Sequence, residues 1–130
     1  MNRQASGTFS VNLSPQAPDA SALGRLTIDK TFHGDLEGTS QGQMLAASTT
    51  TPGSAGYVAL ERVTGTLDGR SGTFVLQHSG VMNRGQASLS VAVVPDSGTG
   101  QLTGLSGTMT IAIVDKEHRY GFEYSFGAEG

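Results

Sequence analysis

A glutamate and a histidine lie in two segments whose sequences predict adjacent strands. Asp68-Gly69 separates the apolar, alternating runs that carry Glu61 and His78, and Asp-Gly in this context is a strong signal for a tight β-hairpin. A two-residue turn makes Glu61 and His78 diagonal neighbours on one face, with Cβ atoms about 7–8 Å apart, a distance that long side chains can bridge. A carboxylate beside an imidazole can work as a general acid–base pair, so these are the candidate catalytic residues. A structural or surface pair is the alternative.

The same register predicts which residues share a strand face with Glu61 and His78. That face also carries Tyr57 and Phe74, and aromatic walls with a few polar groups are typical of ligand pockets. The other face carries Arg62 and Gln77, which could bind a carboxylate ligand and form the alternative pocket. A three-residue turn with a bulge would exchange the faces of one strand, so the sequence leaves open which face points inward.

A polar strand precedes this hairpin. Glu37 and Gln41 fall on one face, and Gly38, Ser40 and Gly42 fall on the other. The line of Glu37, Gln41 and Gln43 could point into a wet cavity, which makes Glu37 and Gln41 candidate ligand residues. A solvated strand face is the alternative. The small residues would let another backbone or a ligand approach closely.

Composition narrows the class of protein. The chain has 130 residues, of which 19 are glycine and 15 % are charged, and its net charge is −3. One domain over residues 1–130 is expected. The eight basic residues are scattered, which argues against nucleic acid and anionic membranes as partners. The chain has no cysteine, and its three histidines lack metal-ligand spacing, so we predict neither a metal nor a cofactor.

Targeting signals are also lacking. No apolar run approaches the roughly 20 residues that a membrane-spanning helix needs. The first residues, Met1-Asn2-Arg3-Gln4-Ala5-Ser6-Gly7, lack the apolar core of a signal peptide. A cytoplasmic location is therefore predicted.

Alternating segments and Gly-rich turns recur along the whole chain. They predict eight consecutive strands, and the last carries an aromatic stripe at Tyr120, Phe122, Tyr124 and Phe126. Short connections favour an all-β, eight-stranded, antiparallel up-and-down barrel, because closure leaves no exposed edge. An eight-stranded barrel is filled by side chains or holds one small ligand.

Three stretches carry a family resemblance: Thr31 to Thr39, Gly56 to Gly80 and Gly98 to Gly107. They resemble a family of small bacterial proteins of unknown function with an allene-oxide-cyclase-like β-barrel, over about Ala5 to Phe126. The resemblance implies an eight-stranded barrel and no particular reaction. The wider class includes plant allene oxide cyclases and dirigent proteins, but their catalytic motifs do not align here, and fold analogy alone is weak evidence of function.

The functional prediction is a cytoplasmic barrel that binds a small, largely apolar ligand. One alternative is a cofactor-independent isomerase or cyclase that uses Glu61 and His78. Another is a structural oligomer with a filled barrel. Strand faces that compete for one interior, such as Val58 and Leu60 against Tyr57 and Val63, leave excess apolar surface outside, which predicts a homo-oligomer.

Overall fold

Eight antiparallel strands close a barrel in the computed structural model, which describes residues 2–17 and 23–127. Each strand pairs with its neighbour in sequence, and the last pairs with the first. The strands are β1 Arg3–Pro15, β2 Gly24–Gly34, β3 Leu36–Ser48, β4 Ala55–Leu67, β5 Arg70–Asn83, β6 Gln86–Val93, β7 Leu105–Val114 and β8 Glu117–Phe126. The predicted all-β, eight-stranded antiparallel barrel is confirmed. Among the described residues no helix has the length and apolar character needed to span a membrane.

The turn between β4 and β5 fixes the register of the central hairpin. Asp68 has φ 47° and Gly69 φ 85°, so both turn residues adopt the left-handed conformation that a two-residue hairpin turn requires. Leu67 therefore pairs with Arg70, and the register continues to Glu61 opposite Leu76 and Ala59 opposite His78. The predicted two-residue turn and strand faces are confirmed.

A dense apolar core fills the half of the barrel that contains this turn. Phe74 and Phe122 stack with ring centroids 6.0 Å apart, and the Tyr120 hydroxyl accepts a hydrogen bond from the Leu36 amide at 2.9 Å. Residues Gly100–Leu102 form a 3₁₀ turn that buries Leu102 in this core. Strand β7 consequently starts at Leu105, after this turn. We call this half the closed end.

The opposite end is open. Its inward-facing residues share a strand face with core residues, yet Leu13, Leu89 and Ile113 are 47 %, 44 % and 66 % exposed. We call this end the barrel mouth and define it by the inward-facing residues Val11, Leu13, Met44, Leu89, Ile111 and Ile113. Inward-facing side chains are thus buried at the closed end and remain exposed at the mouth.

Near the mouth, two neighbouring strands of the barrel wall are joined by very little ladder pairing. Strands β6 and β7 share a single residue pair, Ala92 with Thr108, whereas every other neighbouring pair of strands forms a longer ladder. From that pair towards the mouth, the facing edges of the two strands are not joined by ladder pairing. We call this joint the β6–β7 seam.

Candidate functional site

A buried cluster of polar side chains separates the closed end from the mouth. Glu61 Oε2 lies 2.7 Å from Lys30 Nζ and 2.5 Å from His78 Nε2, and Ser40 Oγ donates to Glu61 Oε1 at 2.7 Å. Glu61 is 1 % exposed, His78 4 % and Lys30 8 %. The sequence placed Glu61 and His78 together, and the structure joins them directly.

Four strands supply this cluster, and their registers explain the contacts. Lys30 on β2 pairs with Ser40 on β3, and Glu61 on β4 pairs with Gly42 on β3. A Cβ at Gly42 would lie 2.7 Å from Glu61 Cα, so the missing side chain gives room for the close packing of β3 against β4. The small residues of β3 therefore face inward and permit a close backbone approach, as the sequence indicated.

Aromatic rings hold the lysine in place. Lys30 Nζ lies 4.9 Å from the ring centroid of Phe9 and 5.8 Å from that of Phe32. A cation over the face of an aromatic ring is attracted by the ring quadrupole, by about 0.5–2 kcal/mol. These rings partly replace the water that the buried ammonium group has lost.

Glu61 is ionised in this setting. Burial alone would raise its pKa, but hydrogen bonds from His78, Lys30 and Ser40 and the charge of Lys30 lower the pKa to about 2. Both carboxylate oxygens accept hydrogen bonds and the side chain is almost completely buried, so Glu61 orients its neighbours and is not accessible to a ligand. Lys30 and His78 retain slight exposure and are the groups that a molecule entering the mouth would meet.

The orientation of His78 has a chemical consequence. With Nε2 directed at the Glu61 carboxylate, a neutral imidazole donates its Nε2 proton to Glu61 and leaves the Nδ1 lone pair available. No buried polar side-chain atom of the described residues lacks a hydrogen-bond partner. Because the structure gives Nδ1 no protein partner, this atom carries part of the residual exposure of His78. It can accept a hydrogen bond or a proton.

Tyr57 and Phe74 share the inward face with this pair, but at different depths. Tyr57 is half-buried and lies two residue pairs closer to the mouth than His78, and burial raises the pKa of its hydroxyl. Phe74 is completely buried and stacks on Phe122 within the closed end. Tyr57 is therefore placed to contact a ligand, whereas Phe74 belongs to the core and forms no wall of the mouth.

The other four predicted ligand residues lie outside the barrel. Glu37 and Gln41 are exposed on the outer face of β3, and the prediction that they point into the interior is wrong. Glu37 accepts a hydrogen bond from the Gly34 amide at 2.9 Å and lies 3.4 Å from His33 Nδ1. Arg62 and Gln77 are also exposed, so the alternative pocket is not the barrel interior.

Two members of the cluster, Lys30 and Ser40, were not predicted. The sequence signal for Lys30 is the alternation of β2, because Lys30 lies on the face that also carries the buried residues Ile28 and Phe32. A lysine at a core position requires an anion, because a buried unpaired charge is costly. Glu61 is the buried carboxylate that meets this need. Within the described part of the chain, no group of three or more His, Cys, Asp or Glu side chains could hold a metal ion.

Known proteins place this barrel in a family. The family model described as "Protein of unknown function (DUF3224)" matches residues 5–124. The chain belongs to the DUF3224 family. A crystal structure of a DUF3224 protein of unknown function from Shewanella oneidensis MR-1 is 50 % identical, with a TM-score of 0.93 over 97 % of this chain and 98 % of that one. No curated protein matches the chain. Membership of the DUF3224 family agrees with the barrel fold, but the family is described as one of unknown function and therefore implies no activity.

Proposed function

We propose that the barrel mouth binds a small, largely apolar molecule whose polar end meets Lys30 and His78. The observation that carries this proposal is the exposed inward-facing apolar surface at the mouth, which lies above a charged, nearly buried floor. Ligand sites are mostly apolar concavities with a few polar groups that fix orientation, and mouths of β-barrels are common locations.

The binding free energy that the apolar surface can supply favours a ligand with a polar end over a purely apolar one. Covering the exposed part of Leu13, Leu89 and Ile113 contributes about 1 kcal/mol for each residue, because full burial of such a side chain is worth about 1.5–3 kcal/mol. Micromolar affinity corresponds to about 8 kcal/mol. Contacts with the hydroxyl of Tyr57 and with the floor groups Lys30 and His78 would supply part of the difference.

A matched pair of lysine substitutions tests this proposal. Ile113 and Ala112 are neighbours on β7, but Ile113 faces the mouth and Ala112 faces outward. With the neutral fluorescent probe N-phenyl-1-naphthylamine, Ile113→Lys is expected to weaken binding at least tenfold. Ala112→Lys is expected to leave binding within twofold of wild type. Fluorescence titration measures both dissociation constants. Equal binding by the two variants would exclude the mouth as the site.

The contact between Glu61 and His78 supports a second candidate function, which is proton transfer to or from the bound molecule. A carboxylate that fixes the tautomer of a histidine is a recurring arrangement in acid–base catalysis. In this hypothesis His78 Nδ1 is the base, Glu61 positions it, and the reaction is an isomerisation or cyclisation without a cofactor. Lys30 would stabilise negative charge that develops on the substrate.

This second candidate requires access to the imidazole. Diethylpyrocarbonate is expected to modify His78 in the folded protein, more slowly than the exposed His33. N-phenyl-1-naphthylamine in the mouth should slow modification of His78 and leave that of His33 unchanged. Peptide mass spectrometry measures both rates. If His78 stays unmodified while His33 reacts completely, the imidazole has no access from the mouth and the catalytic hypothesis fails.

A further inference from the structure

The inward face of the barrel carries more basic than acidic side chains towards the mouth. Of the inward-facing strand positions that the structure describes, Glu61 is the only one with a carboxylate. Lys30 and His78 contact this carboxylate, and His118 on β8 lies nearer the rim. A ligand in the mouth therefore meets three basic groups and one carboxylate that is already paired.

His118 is a basic group of the mouth that the buried cluster does not use. It pairs with Phe9 on β1 and with Ile113 on β7, and its ring centroid lies 5.1 Å from that of Phe9. The side chain is half-buried, and among the residues that the structure describes it makes no hydrogen bond. Lys30 Nζ lies over the same Phe9 ring, 4.9 Å from its centroid. Basic groups thus extend from the floor of the mouth towards its rim.

Lys30 keeps hydrogen-bonding capacity for a ligand. An ammonium group has three N–H donors, and in the described part of the chain Lys30 Nζ makes one hydrogen bond, to Glu61 Oε2 at 2.7 Å. No second inward-facing carboxylate of the described strands accepts from the others. Hydrogen bonds between ionised groups are about twice as strong as those between neutral groups. The floor of the mouth therefore favours an anionic polar end over a neutral hydroxyl.

His78 joins such a contact only when a proton lies between it and the ligand. Its Nε2 is directed at Glu61, so the neutral imidazole presents the Nδ1 lone pair to the mouth. A carboxylate also offers only lone pairs, so one proton has to be taken up from solvent. The titratable groups beside His78 are Glu61 and Tyr57 on β4, with Lys30 of β2 bound to Glu61. Its partner on β6, Val91, is apolar. Because Lys30 and Glu61 compensate each other, a proton on His78 balances the charge of the ligand.

We propose that the molecule bound in the mouth is an alkyl carboxylate of medium chain length, an inference that rests on the proposed function of the mouth. Its carboxylate accepts hydrogen bonds from Lys30 Nζ and from Nδ1 of the protonated His78, and its alkyl chain lies along the apolar side chains of the mouth. Val11 pairs with Lys30, and β1 continues from Val11 for four residues to Pro15, or about 13 Å of strand. This depth suits a medium-length alkyl chain.

Decanoate and decan-1-ol test the preference for an anion, because they share one chain length and differ in the polar end. Displacement of N-phenyl-1-naphthylamine at pH 7.5, followed by fluorescence, gives both dissociation constants. Decanoate is expected to bind at least tenfold more tightly, because its hydrogen bonds are charge-assisted. Isothermal titration calorimetry in buffers of different ionisation enthalpy should show uptake of about one proton for each decanoate and of none for decan-1-ol.

A matched pair of double variants tests the floor of the mouth. Lys30→Met with Glu61→Leu removes both charges of the buried pair, and Arg119→Met with Glu117→Leu removes the same charges from the outer face of β8. The first double variant should reduce the preference for decanoate to about threefold or less and should leave the affinity for decan-1-ol within about threefold of wild type. The second should keep the wild-type preference. Thermal melts of both establish that the fold is retained.

The outcomes separate the charge preference from the proposed function. Equal affinities of wild-type protein for decanoate and decan-1-ol overturn the anionic polar end and leave the proposed function standing. A preference that survives in the Lys30→Met, Glu61→Leu variant overturns the contact with Lys30. Binding of decanoate without proton uptake overturns the contact with His78. If neither ligand binds, the proposed function fails together with the preference.

Discussion

Glu61→Leu is expected to lower the free energy of unfolding by about 3–5 kcal/mol, because removal of one partner leaves a buried charge uncompensated. Lys30 is the affected charge, since its ammonium lies 2.7 Å from Glu61 Oε2 and is almost fully buried. The hydroxyl of Ser40 and Nε2 of His78 would also lose their acceptor. Urea unfolding at neutral pH measures the loss, which would be a large share of the stability of a domain of this size.

A surface ion pair provides the control. Glu117 accepts a hydrogen bond from Arg119 Nε at 2.7 Å, but both side chains are about half exposed. Exposed pairs contribute about 0–1 kcal/mol, so Glu117→Leu should cost no more than that. A double variant, Lys30→Met with Glu61→Leu, should recover part of the loss, because apolar replacements remove both charges together. If Glu61→Leu costs no more than Glu117→Leu, the cluster is not a buried ion pair in solution.

Stability is expected to fall by about 3 kcal/mol as the pH is lowered from about 4.5 to about 2. The pKa of Glu61 is about 2 in the folded chain against an ordinary value of 4.5, and that difference is worth about 3 kcal/mol. A carboxyl group with a depressed folded pKa contributes its full stability above the unfolded pKa. That contribution disappears as the pH falls towards the folded pKa. It should therefore be constant between pH 5 and neutrality.

Glu61→Gln isolates this contribution, because glutamine keeps the shape of the side chain and does not ionise. Urea unfolding at several pH values should show wild type well above Glu61→Gln at pH 6. The two curves should converge as the pH approaches 2. Parallel curves over this range would mean that the pKa of Glu61 is not depressed in the folded protein.

The central hairpin shows which parts of the candidate site can be predicted from the sequence alone. Asp68-Gly69 permits only a few turn geometries, and the two-residue turn sets every pairing between β4 and β5. Once that register holds, Glu61 and His78 must share a face. Which face points inward follows from the neighbouring strands, whose apolar residues need the same interior, and this condition is not local to the hairpin.

Strand β3 shows where sequence reasoning failed. Its polar face and its small-residue face are both compatible with the interior, and the prediction that Glu37 and Gln41 point inward is wrong. Gly38 and Gly42 allow β3 to pack closely on β4, and this close approach directs Glu37 and Gln41 outward. Burial of Glu37 would also have required a second buried cation, because Lys30 is already paired with Glu61. The likeness to allene oxide cyclases that the resemblance implied stays a prediction.

The open end was not predictable from alternation. Inward-facing residues at the mouth, such as Leu89 and Ile113, follow the same pattern as core residues and would read identically in a completely filled barrel. Both residues lie on the mouth side of the single pair of Ala92 and Thr108, where no ladder pairing joins β6 to β7. The extent of pairing between two neighbouring strands depends on the packing of the whole barrel, which a local sequence pattern does not encode.

The β6–β7 seam also bears on aggregation. Unpaired strand edges are templates for the strands of other molecules, and natural proteins protect them with charges, prolines or bulges. The β7 segment Met109–Val114, with the sequence Met-Thr-Ile-Ala-Ile-Val, has none of these charges or prolines before the turn at Asp115. Short, uncharged segments of high β-propensity are the usual nuclei of cross-β fibrils. If the seam widens under mild destabilisation, this segment is the part of the barrel from which we expect fibrils to grow.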